Sequence, residues 1–197
     1  MPDISGQAFL LIVLRWLHFL AGITWIGLLY FLNLVNVRFA ASLDASIRPT
    51  VVPPLLSRVL AWFRHSAWVT ALVGLFMIYL LYWSRGDFAT TDNAKTILIG
   101  GLLGLLMAAN VWVFIWPNQK KIIAAMRAGQ AADPSWGRTA LYASRANFTM
   151  SFPMLLFMGS ASHFPMDWAG IIVFGVIAAI IGFLVWNTVQ RWAAPSF

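Results

Sequence analysis

Two ionisable side chains, Arg15 and His18, interrupt the first long apolar run of the sequence, from about Gln7 to Val35. In hydrocarbon such groups are costly unless paired, ligated or solvated, so their position alone makes them functional candidates. On a helical period they share one stripe with Leu11, Gly22, Trp25, Leu29 and Asn33, and a stripe holding nearly every unusual residue of the run must face protein. His18 stands about eleven residues into the span, or roughly 16 Å down the axis. An imidazole near mid-membrane suits axial ligation of a haem, with Gly22 one turn on giving a flat macrocycle room and Trp25 on the same face. The alternative is an imidazole hydrogen-bonded to a neighbouring helix. Arg15 either neutralises a haem propionate or snorkels to the outer surface.

His65 and His163 are the other histidines, each at the end of an apolar run. Neither is level with His18. His163, in Ser162-His163-Phe164-Pro165, is the closer candidate for a second iron ligand, whereas His65 sits beside Arg64 near the opposite boundary. As helix-end histidines both are also cheap to solvate as plain interfacial residues. If all three are ligands, their depths favour two haems, one per leaflet. Met150, Met154 and Met158 recur at helical spacing; a thioether can be a sixth haem ligand or bind Cu(I), but such a stripe is more often core filling. A copper site from His163, Met158 and Met166 is a minor option with unspecific spacing.

Five stretches are long and apolar enough to position these groups across a bilayer: about 7–35, 66–83, 96–116, 147–162 and 168–189. The fourth is the shortest, contains Pro153, and can start earlier, near Thr139, as an amphipathic lead-in. Loop charge tests the partition. Arg38, Arg48, Arg58 and Arg64 lie between the first two runs, and Lys120, Lys121, Arg127, Arg138 and Arg145 between the third and fourth. The other loops hold Arg85 and Lys95 balanced by Asp87 and Asp92, then Asp167 alone. Basic residues accumulate on the cytoplasmic side, so the N-terminus is expected outside and the C-terminus, with Arg191, inside. Val51-Val52-Pro53-Pro54 reads as a chain break and Ala131 to Gly137 as a loop. Gly100 and Gly104 form a GxxxG that usually marks a helix contact, and the fifth run has almost nothing polar before Asn187, so it faces lipid or a partner.

Composition agrees with a membrane bundle: 61% of the 197 residues are hydrophobic, 10% are charged, and the mean hydropathy is +0.80, far from the soluble balance. The net charge of +7 leaves no broad basic surface for nucleic acid once it is assigned to loops. The absence of cysteine removes disulfides, iron-sulfur clusters, thiolate metal sites and covalent c-type haem. The first residues lack a basic stretch and a cleavage site, and read as the start of a retained helix.

Arg15-Trp16-Leu17-His18 with Gly22, Trp25, Gly27 and Tyr30, then Asn110-Val111-Trp112-Val113-Phe114-Ile115-Trp116-Pro117-Asn118-Gln119-Lys120-Lys121, then Ser144-Arg145-Ala146-Asn147 through Pro153 to His163 and Pro165, resemble the urate oxidase N-terminal family. This is the membrane domain of bacterial urate hydroxylases. The first-helix pattern is also remotely similar to the membrane-bound, haem-b protoporphyrinogen oxidases, in which His18 matches a characteristic histidine and Lys95 only loosely matches a lysine. The resemblance implies a haem b bundle in a bacterial inner membrane. Urate hydroxylases of this type continue into a cytochrome c domain, whereas this chain stops at Phe197.

The expectation is an all-α, single-domain integral membrane bundle of five transmembrane helices that binds haem b and serves electron transfer in a larger membrane complex. An enzymatic reading makes it the membrane part of a urate oxidoreductase working with a separate cytochrome, for which only Asn110, Lys95 and Arg145 could meet a polar or anionic substrate. A third reading is a structural subunit without a cofactor.

Overall fold

The computed structural model describes residues 6–192, with side chains up to residue 188; the first five residues and Arg191 therefore lie outside the described side chains. Five helices follow one another: α1 (Gly6–Ser42), α2 (Arg48–Arg85), α3 (Asp92–Arg127), α4 (Pro134–Ser160) and α5 (Trp168–Trp192). There is no strand among the described residues. Four of the helices, all but α4, are long and apolar enough to cross a membrane. Exposed faces such as Phe9, Ile12, Trp16, Phe19 and Ile23 on α1, and Ile172, Val176, Ile180 and Phe183 on α5, are apolar surfaces that only lipid or a protein partner can cover. The chain is built as a multi-pass membrane protein.

The helices run past the apolar stretches, mostly at the end that carries the basic loops. Hydropathy marks where a helix is in lipid, and its hydrogen bonding continues wherever the emerging turns find a packing partner. Here Val52, Leu56, Leu60, Phe63, Ile115 and Ile123 form one buried cluster with Trp25, Leu29 and Met107, so the extensions share a core with the spans.

Two expected breaks are corrected by this geometry. Pro53 and Pro54 lie inside α2 and do not end it. They fall in its second turn, where each removes one intrahelical donor, and burial holds the turn in place: Val52 and Pro53 are buried, and Ser57 Oγ donates to Pro53 O at 2.7 Å. The segment read as a loop from Ala131 to Gly137 contains a helix start. Asp133 caps α4 by accepting the Ser135 N–H at 2.7 Å, and Pro134 occupies the first helical position, where its missing donor is harmless. Only the preceding turn is irregular, closing α3 with Gly129 at φ 66° and Gln130 N–H on Ala125 O at 2.9 Å.

The weak apolarity of α4 has a structural reason: it is the inner helix, packed against α1, α3 and α5. Its polar residues tie the bundle. Asn147 Nδ2 donates to Met107 O at 3.0 Å, and Asn110 Nδ2 donates to Asn147 Oδ1 at 2.8 Å and Ala143 O at 2.9 Å. On the α1 side Asn33 Nδ2 donates to Ser144 Oγ at 2.9 Å, and Tyr30 and Ser151 hydroxyls meet at 3.0 Å. Two of the three partners of α4 widen into π-turns here, at Phe31–Asn36 in α1 and Val111–Ile115 in α3. In α3 the cause is Pro117, whose ring would collide with the Val113 carbonyl in a regular helix. The expected GxxxG contact is present: a Cβ on Gly100 would stand 3.2 Å from Phe157 Cβ and 3.3 Å from the Met158 backbone nitrogen.

Replacing Asn147 by Leu strips two interhelical hydrogen bonds from the bundle, and should lower stability in reversible mixed-micelle unfolding by about 1–2 kcal/mol. An unchanged midpoint would contradict the tie. At Asp133 the Ser135 backbone N–H, helped by the Ser135 side chain, holds the carboxyl below its ordinary value of 3.8. The charged cap therefore contributes fully above that ordinary value, and its contribution is lost as pH falls through the lowered one. Thermal unfolding of wild type should worsen with acid in a way that Asp133→Asn, which caps without titrating, does not share.

Candidate functional site

His18 lies on the face of α1 that packs on α2. Its Nδ1 is 3.0 Å from the Thr70 carbonyl oxygen, and since a carbonyl only accepts, Nδ1 carries the proton and Nε2 the free lone pair. The ring rests edge-on against Gly74, where a Cβ would approach His18 Cε1 to 2.9 Å and Nδ1 to 3.3 Å. A methyl group at 74 would therefore displace the imidazole from its contact with α2. At Gly22, one turn on from His18, an added Cβ would make only an ordinary contact, 3.7 Å from Thr70 Cγ2. Thr70 turns its own hydroxyl back to Ser66 O at 2.7 Å.

Neighbouring members of the stripe divide by depth. Trp25, two turns on, is buried in the main core, and its Nε1 has no hydrogen-bond partner among the described residues. Arg15, three residues back, is exposed and within electrostatic reach of Tyr82 near the end of α2. The Tyr82 hydroxyl donates to Asn93 Oδ1, and Asn93 donates in turn to Ala161 O, so this end of α2 is joined to the turn that carries His163.

The three histidines occupy separate stations along α2. His65 is nine residues before Gly74, about 13 Å along the axis, and its exposed ring sits 6.3 Å from Trp112. His163 is exposed in the turn after α4, a turn joined through Asn93 to Tyr82, which lies eight residues beyond Gly74 or about 12 Å along α2. Met158 packs its Cγ 3.4 Å from the Cβ position of Gly100, and Met154 is buried in the core. Met166 is buried, with its backbone N–H on Thr96 Oγ1 at 2.9 Å. Lys95 pairs with Asp92 at 2.9 Å. Among the described residues no group of three or more His, Asp or Glu could hold a metal ion.

Thr70 and Gly74, the residues that position His18, were missed by the sequence reading. The available signal was a small-xxx-small spacing inside an apolar span, the same signal that located Gly100 and Gly104.

A family model described as urate oxidase N-terminal matches residues 88–193, more than half of the chain. The chain belongs to the urate oxidase N-terminal family. No curated protein and no solved structure matches it significantly. The region assigned to the urate oxidase N-terminal family comprises α3, α4 and the described α5, with Asn110, Asn147 and His163; α1 and its His18 stripe precede it.

The fit at Gly74 is specific enough to test. Gly74→Ala should push the imidazole off Thr70 O and shift the His18 ring nitrogen resonances in selectively 15N-labelled protein, while Gly22→Ala should leave them in place. Equal responses would refute the packing.

Proposed function

We propose that this chain is a haem-b-binding membrane subunit that carries electrons in an oxidoreductase complex of the urate-oxidising kind. One observation carries the reading: an imidazole deep in an apolar helix is clamped through Nδ1 to a backbone carbonyl, leaving Nε2 as a basic nitrogen of fixed orientation. That arrangement is the usual support of a metal-bound histidine, because the carbonyl fixes the tautomer and raises ligand basicity. His18 would hold the iron, and Arg15, one turn toward the surface, would face a propionate. The haem would supply one-electron transfer within the bilayer.

The described residues offer one strong axial position and place no second ligand beside it. His18 is half-buried at the edge of the bundle, where α1 packs mainly on α2 and exposes its far side. This favours a subunit that works against a partner over a self-contained enzyme. Membership of the urate oxidase N-terminal family favours a purine as the ultimate electron source, with a separate cytochrome as acceptor. The loop charges favour five transmembrane helices in a bacterial inner membrane, with the N-terminus outside.

Detergent-purified protein should give a b-type pyridine haemochrome spectrum that His18→Ala abolishes. His65→Ala and His163→Ala should keep it. Folded wild type with no b-type signal, or full haem content in His18→Ala, would overturn the proposal.

A further inference from the structure

Between them α4 and α5 enclose a groove of about 470 Å³ with a single charged group, Arg145, in its wall. The Arg145 guanidinium stacks on Trp186, 4.0 Å from the ring centroid, with Tyr142 at 5.9 Å. Its Nε is buried and has no hydrogen-bond partner, and the one ion pair among the described residues is Lys95 with Asp92. A cation held this way lacks an anion and keeps an N–H unused, at a cost that a charge-assisted hydrogen bond would remove.

Depth identifies the anion. Arg64 stacks on Trp116 at 3.9 Å, at the same end of the bundle. Measured from the Asn110 to Asn147 hydrogen bond, Trp116 is six residues toward the basic end and Arg145 two, about 9 and 3 Å, so the two Arg–Trp pairs lie within about one turn. Trp and Arg at one level mark a membrane interface. From Arg145 toward mid-membrane the groove becomes mainly apolar, with Ala146 and Met150 on α4 and Phe183 on α5 and Thr149 as its one polar side chain there. Charge at the interface and hydrocarbon below it match one amphiphile, an acidic phospholipid standing in its own leaflet.

We infer that the α4–α5 groove binds an acidic phospholipid, with the anionic phosphate on Arg145 and an acyl chain along Met150 and Phe183. The phosphate completes the hydrogen bonding of a guanidinium that Trp186 has already oriented, so little ordering remains to be done on binding. The site stands apart from His18 and does not depend on the haem reading.

Native mass spectrometry of the full chain, released from micelles of phosphatidylcholine and phosphatidylglycerol in equal amounts, tests this. Wild type should retain phosphatidylglycerol over phosphatidylcholine. Arg145→Gln should reduce that retention about fivefold, and Ala146→Trp, which fills the groove from an exposed position in its wall, should do the same. Arg138→Gln, exposed at the start of α4, should change nothing. If Arg145→Gln does not fold, Ala146→Trp decides alone. Equal retention of both lipids by wild type, or wild-type retention by Ala146→Trp, would overturn the inference. Loss of phosphatidylglycerol to added inorganic phosphate would assign the site to a free anion and overturn the lipid.

Discussion

The Asn110 to Asn147 hydrogen bond is the contact around which the bundle is organised. In an apolar interior an amide must find protein partners, and these two satisfy each other and the Met107 and Ala143 carbonyls at once. That requirement fixes the register of α3 against α4. Asn33 and Tyr30 then fix α1 against the same stretch of α4. Hydrophobic contacts hold the helices together, but lipid offers them nearly equal partners, so polar pairs and close glycine approaches specify which helix lies where.

Glycine provides the other half of that specification. Gly74 brings α1 to α2 through His18, Gly100 brings α3 to α4, and Gly182 lets α5 approach Phe152 and the Thr149 carbonyl on α4. Each is a place where a methyl group would force two helices apart or a ring aside. The imidazole of His18 is therefore both a candidate ligand and a packing element.

The sequence disclosed what depends on polarity. Arg15 and His18 stood out because ionisable groups in an apolar run need a reason, and Asn110 and Asn147 fall in the segments that carried the family resemblance. Thr70 did not stand out, because the group it offers His18 is a backbone carbonyl that every residue possesses. Pro53 and Pro54 misled in another way: proline forbids one hydrogen bond, and only burial of their neighbours shows that the helix survives its loss. Asp133-Pro134-Ser135 suits a turn and a helix start equally well, and the two differ only in whether the residues after Ser135 keep helical hydrogen bonding. The family assignment, resting on α3 to α5, reaches the polar pair and leaves the His18 stripe to be judged on its own chemistry.

The modest apolarity of α4 bears on how the protein is made. A segment containing Arg138, Arg145 and Asn147 partitions poorly into a bilayer by itself, whereas α3 before it and α5 after it are strongly apolar. During synthesis α4 would leave the translocation channel against a neighbour already presenting Asn110, and the next helix would then close over its other side. Assembly order is thus written into the gradient of hydrophobicity along the chain, with the most polar helix entering lipid only under escort.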